Sequence, residues 1–447
     1  MKPIFEQERQ FFKNKTGIEL PTDCWRDGTK IYLDCTCSSP IYTFKVINKK
    51  INIVKNFTEK FINYQQKKTS ELIDLYTYKL NDLERNSVNV TYNYILNNPN
   101  IKYVVSHSGG KDSTVNYYIW QKALKLLELN PDIFNNLKWE INFSNTSNDT
   151  ADTYKYIKND LPKDKLHILN PAIGFYQWII NVKNYFIPSA MVRNCCSTYK
   201  EGQISKYYNK KDNITMVMGL RKYESAKRAN YDYIMDCNYI RNVLNKVPNI
   251  PETWVKFNPI VEWHDEEVWL YILRENLKYN NQYNIGFNRC GCLICPYQSD
   301  YIDLLIEENY PNQWNRWVNI LKKNYELYDV ANRLKWTLEE FVQGKWKVGT
   351  SVEQELIQKK PIKENIQRLA EVKGISEELA SKYFQRKCNC GKKLNPDEIA
   401  LNLKMYGREI ELHRMECKKC FCKTNNISGK QYVEMVHNFR VEGCSLF

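Results

Sequence analysis

The sequence predicts an α/β fold, with a Rossmann-like parallel sheet preceded by a helical region and followed by a helical segment and a small cysteine-rich module. Three observations support this prediction. An apolar run at 103–105 breaks at two glycines and resumes as a helical pattern at 113–127, which is the strand–turn–helix unit of such a sheet. Polar and helical segments separate further apolar runs of strand length, which lie at 137–143, 166–169 and 214–218. Short cysteine pairs mark the C-terminal module, which is too small to bury a large core.

Changes of pattern along the chain predict four parts. These are an N-terminal mixed and helical region at 1–98, the parallel-sheet domain at 99–335, a helical linker at 336–386 and the cysteine-rich module at 387–447. Helical periodicity supports the first part, because apolar residues recur on one face from Ile53 to Asn97. The Asn-Asn-Pro-Asn turn that follows leads into the first strand of the sheet.

Composition bounds the compartment and the partners. The 447 residues include 65 Lys and Arg against 51 Asp and Glu, a net charge of +14. This surplus suits a polyanionic partner such as nucleic acid, although a Lys- and Asn-rich, AT-biased genome would produce it too. No apolar run approaches the length of a membrane span, and the polar N-terminus does not resemble a signal peptide. Fifteen cysteines favour metal or redox chemistry over disulfides, so we expect a cytoplasmic protein without membrane contact.

The glycine turn after the first strand has the composition of a phosphate-binding loop. Residues 106–113 read Ser-His-Ser-Gly-Gly-Lys-Asp-Ser. Glycines let backbone N–H groups and the positive end of a helix approach an anion, and Lys111 would add a mobile positive charge. The spacing differs from the Walker motif, and a bare glycine turn between strand and helix is the plainer alternative. The candidate phosphate-binding residues are Ser106, Ser108, Gly109, Gly110, Lys111, Asp112 and Ser113.

Asp112 has two interpretations that are compatible with each other. Its carboxylate could hold Mg²⁺, which bridges phosphate oxygens and neutralises a departing pyrophosphate. A carboxylate is also favoured at the N-terminus of a helix, where it caps backbone N–H groups.

Two polar residues and a glycine directly follow two other predicted strands. Asn145 and Thr146 come after the second strand, and Gly219 comes after the fourth. Because ligands of an α/β sheet bind at the carboxyl ends of its strands, these residues are candidate nucleotide contacts.

A basic segment continues from Gly219. We expect a helix there, on which residues 221, 224, 225 and 228 share one face. A pair of guanidinium groups suits a phosphate or sulfate, whereas an Arg–Glu surface pair is the plainer alternative. The candidate ligand-binding residues of this segment are Arg221, Glu224, Ser225 and Arg228, and Lys200 is a weaker candidate.

Two cysteine knuckles near the C-terminus have zinc-ligand spacing. Cys388-x-Cys390 is followed, after 26 residues, by Cys417-x-x-Cys420, and Cys422 is an alternative ligand. This spacing predicts a zinc ribbon in which structural Zn²⁺ supplies the folding energy. Lysines beside the knuckles would suit phosphate-backbone contact. A segment at 372–380 is faintly similar to a helix-hairpin-helix DNA motif. The plainer interpretation of this segment is an ordinary helix start at Ser376.

The order of the motifs resembles one family. The motifs are Ser-Gly-Gly-Lys-Asp-Ser at 108–113, Asn-Thr-Ser…Asp-Thr-Tyr at 145–154, Arg-x-Cys-Cys…Lys at 193–200, Gly-x-Arg-x-x-Glu-Ser-x-x-Arg at 219–228, Asn-Pro-Ile…Trp…Val-Trp at 258–269 and Gly-Cys-x-x-Cys-Pro at 291–296. This series resembles the phosphoadenosine phosphosulfate (PAPS) reductase family of PP-loop adenine-nucleotide α-hydrolases over residues 100 to 330. Departures occur at Asn145, Ser147 and Asp152, where the family usually has Asp, Gly and Glu.

The resemblance implies an enzyme from one of two branches. The intact PP-loop resembles the DndC-like branch, which implies that ATP with Mg²⁺ adenylylates an acceptor, with DNA phosphorothioation as the example, before sulfur insertion. Lys111, Asp112, Arg221 and Arg228 would then be catalytic, and a cysteine desulfurase or thioredoxin-like protein would donate sulfur or electrons. The runner-up is a sulfonucleotide (PAPS/APS) reductase releasing sulfite, although the tail lacks that branch's Glu-Cys-Gly-Leu/Ile-His motif. A nucleic-acid-binding protein with a non-catalytic nucleotide site is the third alternative.

The resemblance also implies a metal centre in the sheet domain. Cys195, Cys196, Cys292 and Cys295 match the ligand set of a [4Fe–4S] cluster in iron–sulfur members of the family, and four thiolates also suit zinc. Cys290 is an extra thiol with a candidate role as sulfur carrier. Cys24, Cys35 and Cys37 are one short of a closed zinc site and are expected to be buried or free thiols.

Overall fold

The computed structural model describes most of the chain. The described residues are 1–190, 194–208, 212–225, 228–236, 254–349, 367, 370, 376–378, 388, 390–392, 394–406 and 414–441. Among them, no helix is long and apolar enough to cross a membrane.

The N-terminal part is an antiparallel sheet rather than a helical region. Its five strands, in spatial order, are β1 (Lys2–Pro3), β2 (Trp25–Asp27), β3 (Lys30–Tyr32), β4 (Tyr42–Ile47) and β5 (Lys50–Asn56), with helix α1 (Glu6–Thr16) between β1 and β2. The helical pattern expected from Ile53 is therefore wrong up to residue 68. Ile51 and Ile53 face inward on either side of exposed Asn52, which is a period of two and favours a strand.

Helix α2 (Thr69–Asn97) completes this region as predicted. It buries Leu72, Leu80 and Ile95, which lie on the face that packs against the parallel-sheet domain. The antiparallel sheet contacts the parallel-sheet domain at Phe44, whose ring lies 5.1 Å from the ring of Tyr301. Three buried thiols belong to the same core, those of Cys24, Cys35 and Cys37.

The predicted parallel sheet is confirmed. Within the described residues it has six strands in the order β10-β11-β9-β6-β7-β8, of which β10 alone is antiparallel to its neighbour. In chain order the strands are β6 (Lys102–Ser106), β7 (Trp139–Ser144), β8 (Leu166–Leu169), β9 (Ile214–Val217), β10 (Ile234–Asp236) and β11 (Val255–Phe257). β6 lies between β7 and β9 and is fully buried at Val104 and Val105, as expected for a central parallel strand.

Helices cover this sheet and connect its strands. They are α3 (Lys111–Leu127), α4 (Pro131–Asn136), α5 (Ala151–Asp160), α6 (Phe175–Gln177), α7 (Asn194–Cys196), α8 (Gly202–Tyr207), α9 (Asp265–Arg274), α10 (Asp300–Asn309), α11 (Pro311–Leu327), α12 (Val330–Leu334) and α13 (Leu338–Val342). The central helix α3 packs against α2 and α9 and buries Ile119 and Trp120 completely.

The aromatic segment at 175–185 continues from α6 as a π-helical turn (Trp178–Val182) and stops there, because Asn184 and Tyr185 have positive φ. One predicted helix in this domain differs from the structure. The helix expected after Gly219 is only a short 3-10 turn (Lys222–Glu224), and Ser225 is extended.

The C-terminal module is helical in its described part. Its helices are α14 (Pro396–Tyr406), α15 (Lys418–Thr424) and α16 (Gly429–Val441). A zinc ribbon is built from strands, so the ribbon architecture is not what the described residues show. The segment at 372–380 with faint helix-hairpin-helix similarity lies largely outside the described residues.

Candidate functional site

The candidate site lies at the carboxyl ends of three neighbouring strands. β6 pairs in parallel with β7 and β9, so the segments that follow these strands meet at one edge of the sheet. The segment after β6 is the glycine loop, the segment after β7 contains Asn145 and Thr146, and the segment after β9 begins with Met218 and Gly219. This edge is where α/β sheets bind ligands.

Close packing explains why glycines occupy this edge. Gly109 has φ +77°, and a Cβ there would lie 2.9 Å from Thr153 Cγ2 of helix α5. A Cβ on Gly219 would lie 2.7 Å from the carbonyl oxygen of Asp112. Because it has no Cβ, Gly109 lets α5 approach the loop, and Gly219 lets the end of β9 approach the first turn of α3. A compact anion-binding turn requires such close packing.

Three backbone N–H groups of the loop already have side-chain acceptors. Ser108 N–H donates to Ser113 Oγ at 3.3 Å, and Gly109 N–H donates to His107 Nδ1 at 3.1 Å. Lys111 N–H donates to the hydroxyl of Tyr283 at 2.8 Å. The sequence predicts that the loop N–H groups are free to bind an anion. In the structure an anion must displace a side-chain acceptor to reach each of these three N–H groups.

Other loop side chains are buried around these bonds. Burial lowers the pKa of His107 to about 3, so its imidazole is neutral and Nδ1 is free to accept. Ser113 Oγ also donates to the carbonyl of Gly110 at 2.8 Å. The hydroxyl of Ser106 is buried without a hydrogen-bond partner among the described residues, which leaves it available to a ligand.

Lys111 is held in a four-residue ion cluster rather than being mobile. Its Nζ lies 2.9 Å from Asp112 Oδ1 and 2.7 Å from Asp265 Oδ1. Arg221 is fully buried and donates from Nε to Asp112 Oδ1 and from Nη2 to Asp265 Oδ1, both at 2.6 Å. Two cations thus alternate with two carboxylates, which fixes the first turn of α3 to the end of β9 and the start of α9.

The ionisation of this cluster follows from its pairing. Burial acts to lower the pKa of Lys111, but the Asp112 and Asp265 carboxylates outweigh it and raise the pKa. Burial likewise acts to raise the pKa of Asp265. Lys111, the N-terminal amine of Met1 at 3.4 Å from Asp265 Oδ2, and Arg221 reverse the effect and hold the pKa below its usual range. Lys111, Arg221 and Asp265 therefore remain charged at neutral pH.

Asp265 is a site residue that the sequence interpretation missed. It is the first residue of helix α9 and is followed by two glutamates, so the local sequence indicates only an acidic helix start. Nothing local distinguishes it from an ordinary first-turn carboxylate, because its partners Lys111 and Arg221 are distant in sequence. Asp112 lies in the first turn of α3 with Gly110 as the N-cap, so its carboxylate bonds to cations instead of capping the helix.

The expected four-residue face after Gly219 does not form. Arg221 points into the buried cluster, whereas Glu224 and Ser225 are exposed, because the backbone after the 3-10 turn is extended. Arg228 instead makes an ion pair with Glu224. Arg228 and Glu224 therefore form the Arg–Glu surface pair that is the plainer alternative. The guanidinium groups of Arg221 and Arg228 do not form one binding site.

Asn145 and Thr146 hold the loop after β7. Asn145 Nδ2 donates to Asn170 Oδ1 at 2.7 Å. Thr146 donates from both its N–H and its hydroxyl to Asp149 Oδ2, at 2.9 and 2.8 Å. The thiol of Cys292 lies 3.7 Å from Thr146 Oγ1, so this loop joins the sheet edge to the cysteines.

The four cysteines of the sheet domain share one electrostatic environment. A hydrogen bond that the Cys195 thiol donates to Cys196, burial, and the nearby Cys292 and Cys295 all raise the pKa of Cys195. Burial raises the pKa of Cys292 to about 11, and Lys200 opposes that rise. Thiols that perturb one another in this way are close neighbours, although no three of these four lie within 4.8 Å of one another in the described part of the chain.

Substitution of a cysteine at this group tests the cluster. If these thiols hold the cluster that the resemblance implies, we expect Cys292→Ser to lose bound iron and the brown colour of the anaerobically purified protein, because each thiolate of such a cluster binds one iron. Iron assay and the visible spectrum measure this. Cys290→Ser is the matched control two residues away and should keep its iron. Equal iron in wild type and Cys292→Ser would contradict the assignment.

The C-terminal cysteines form a compact group, as their spacing predicts. The sulfur atoms of Cys388, Cys390, Cys417 and Cys420 all lie within 4.8 Å of one another. Cys390 Sγ and Cys417 Sγ are 3.7 Å apart, and tetrahedral zinc with sulfur ligands at about 2.3 Å implies about 3.8 Å. This donor set fits a single Zn²⁺, and such an ion would fold the small module.

Local geometry favours ligation at this group. A hydrogen bond from the backbone of Lys392 lowers the pKa of Cys390 to about 7, towards the thiolate that binds metal. Gly391 has φ +85° and donates its N–H to the Cys388 carbonyl at 2.7 Å, which closes the knuckle turn. Cys422 lies outside the group and its thiol is 3.8 Å from the Ser428 carbonyl.

Comparison with known proteins agrees with the geometry of the sheet domain. Residues 102–298 match the family model described as phosphoadenosine phosphosulfate reductase domain. Two uncharacterized proteins of Methanocaldococcus jannaschii are 26% identical over 272 residues (60% of this chain, 57% of that one) and 29% identical over 231 residues (51% and 43%). The adenosine 5'-phosphosulfate reductase of Anoxybacillus flavithermus is 24% identical over 149 residues (33% and 56%).

The chain spans about half the length of these curated relatives. Among solved structures, it is similar to the PAPS reductase of Candida auris in a phosphate complex, with a TM-score of 0.32 and 16% identity over 51% of this chain and 97% of that one. The FMN adenylyltransferase of Candida glabrata gives a TM-score of 0.30 and 14% identity, over 47% and 62%.

Proposed function

Because residues 102–298 match a PAPS reductase domain, we propose that this protein is a PP-loop enzyme of the DndC-like branch that uses ATP to activate an acceptor for sulfur insertion. The observation that carries the proposal is the complete glycine loop, with its ion cluster, at the same sheet edge as four cysteines. A phosphate site beside a sulfur-rich site is the arrangement that such chemistry needs.

Phosphate binding would rest on the loop and the helix behind it. The N–H groups at the start of α3 and the buried hydroxyl of Ser106 are donors, and the helix dipole favours an anion. Lys111 is placed to contact a phosphate oxygen if it exchanges one of its two carboxylate partners for it. Bound Mg²⁺ would neutralise phosphate charge, and Asp112 is the loop carboxylate that fits it.

The proposed reaction has three steps. An oxygen of the acceptor attacks the α-phosphorus of ATP, the bond to the bridging oxygen breaks, and pyrophosphate leaves with that electron pair. A thioredoxin-like dithiol reduces the persulfide of a donor protein with two electrons and releases hydrosulfide, while the dithiol becomes a disulfide. Hydrosulfide then displaces AMP from the acceptor, so that sulfur replaces oxygen, and this displacement itself transfers no electrons. Arg221 keeps Asp112 and α3 in position during the first step, because it is buried and bonded to both carboxylates of the cluster.

The metal sites would have separate roles. Cys195, Cys196, Cys292 and Cys295 would hold the [4Fe–4S] cluster beside the loop, where a cluster supplies electrons or carries sulfur. Cys388, Cys390, Cys417 and Cys420 would hold the structural Zn²⁺ of the module at 387–447. The acceptor that we favour is DNA, because the net charge of +14 suits a polyanion.

Product analysis with ATP tests the proposed function. We expect the purified protein to convert ATP and Mg²⁺ to AMP and pyrophosphate when acceptor DNA is present, and chromatography of the nucleotides measures both products. Lys111→Ala should lose this activity, while Lys125→Ala, a substitution elsewhere on α3, should retain it. Formation of ADP and phosphate instead would contradict cleavage at the α-phosphate.

A sulfonucleotide reductase is the second candidate. The match to an adenosine 5'-phosphosulfate reductase favours it. In that case the protein would release sulfite from a sulfonucleotide with thioredoxin as reductant, and it would need no ATP. Release of sulfite without consumption of ATP would therefore replace the first proposal by this one.

A further inference from the structure

The hydroxyl of Tyr283 occupies a loop N–H group that a phosphate needs. Tyr283 is fully buried at the end of a 3-10 helix (Asn281–Tyr283), and its ring packs edge-on against Trp269 at 4.8 Å. Its oxygen accepts the hydrogen bond from Lys111 N–H at 2.8 Å. A Cβ on Gly110 would lie 3.4 Å from the same oxygen, so this hydroxyl covers the turn itself.

Tyr283 differs from the other two acceptors in its origin. His107 and Ser113, which accept from the N–H groups of Gly109 and Ser108, belong to the loop and the first turn of α3. Tyr283 is 172 residues further along the chain than Lys111. An anion that takes the Lys111 N–H must therefore separate two distant parts of the chain, whereas the other two acceptors move with the loop.

The segment that carries Tyr283 is also held against helix α5. Its neighbours Asn280 and Gln282 both bond to Thr153 Oγ1 of that helix, at 2.9 Å each. Thr153 Cγ2 is also the atom that a Cβ on Gly109 would meet, so this segment and the loop pack against the same side chain.

We infer that Tyr283 is a positioning residue whose hydroxyl competes with a phosphate oxygen for the Lys111 N–H and so sets the affinity of the loop for phosphate. This inference deepens the proposed function and rests on it in one respect, namely that the loop binds phosphate. When a phosphate oxygen accepts from Lys111 N–H, the Tyr283 hydroxyl loses that donor, and the two distant parts of the chain that this bond joins separate there.

The sign of one affinity change distinguishes this role from a direct ligand contact. In Tyr283→Phe, the Lys111 N–H of the empty protein has no acceptor, so phosphate no longer has to displace one. A hydrogen bond of this kind corresponds to roughly 2- to 10-fold in affinity, and we expect Tyr283→Phe to bind pyrophosphate and a non-hydrolysable ATP analogue more tightly by about that factor. Isothermal titration calorimetry of the full chain with Mg²⁺ measures it.

Tyr279→Phe is the matched control. Tyr279 also packs against Trp269, but its hydroxyl donates to Asn284 instead of approaching the loop. Its affinity for pyrophosphate should equal that of wild type. Weaker or unchanged binding in Tyr283→Phe, or equal tightening in Tyr279→Phe, would overturn the inference.

Binding of the ligands to wild type distinguishes this inference from the proposed function. If pyrophosphate and the analogue bind wild type and Tyr283→Phe equally tightly, this inference fails and the proposed function stands. If neither ligand binds wild type, both fail.

Discussion

Replacing Arg221 with methionine is expected to remove both the stability of the sheet edge and the pyrophosphatase activity. The guanidinium is fully buried and bonds to Asp112 and Asp265 at 2.6 Å each. Removal of one partner from a buried ion cluster leaves an uncompensated charge and costs about 3–5 kcal/mol. The first turn of α3 also loses its anchor, and we expect pyrophosphate release to fall by about 10²–10³-fold. Chemical denaturation and the rate of AMP formation measure the two effects.

Two further variants control for the loss of charge and for general instability. Arg85→Met removes an exposed arginine that pairs with Asp82 at 2.6 Å, and it should cost less than about 1 kcal/mol with full activity. The double variant Arg221→Met/Asp265→Asn also removes one of the two carboxylates that lose the guanidinium, so the charges of the cluster balance again. It should recover part of the stability without recovering activity. If Arg221→Met were as stable as Arg85→Met, the cluster would not contribute to the fold.

Replacing Cys417 with serine is expected to unfold the C-terminal module. Cys417 is fully buried and its sulfur lies 3.7 Å from that of Cys390. Structural zinc contributes about 10–16 kcal/mol to the folding of small modules, which have little core of their own. Cys417→Ser should therefore release the zinc, lose helical content and expose residues 388–441 to protease, while the sheet domain stays folded. Metal analysis, circular dichroism and limited proteolysis measure these changes.

Cys422→Ser is the matched control for this experiment. Cys422 lies on the same helix, α15, as Cys420 but outside the group of four sulfurs. Its variant should keep one zinc and resist protease like wild type. Loss of zinc in Cys422→Ser but not in a Cys420→Ser variant would mean that Cys422 is the ligand. Absence of metal from the wild-type protein would contradict the zinc site.

Local pattern was sufficient for the sheet and for the shape of the loop. The run at 103–105 and the helix that follows it became β6 and α3, and the runs at 137–143, 166–169 and 214–218 became β7, β8 and β9. Buried parallel strands are continuous apolar runs, and this signal is contained in a few adjacent residues. The gathering of the C-terminal cysteines was predictable for the same reason, since metal-ligand spacing is a local property.

Where two local patterns competed, the prediction failed. The apolar spacing that starts at Ile53 fits a helix, but strand pairing with β4 decides the structure of residues 53–56. The segment after Gly219 was expected to be a helix with one ligand-binding face, but burial of Arg221 between two carboxylates holds it in another conformation. In both cases the deciding contacts come from distant parts of the chain.

The sequence by itself determined the parallel sheet, the position of the glycine loop and the identity of the thiols, because each depends on residues that are adjacent or nearly so. Only the tertiary structure decided what surrounds the loop. Asp265 and Tyr283 reach it from 153 and 172 positions away from Asp112 and Lys111 respectively, and no spacing in the sequence marks them. Their effect is physical: a buried cation needs a carboxylate within contact distance, and a buried N–H needs an acceptor, and the fold supplies both from wherever the chain returns to that edge.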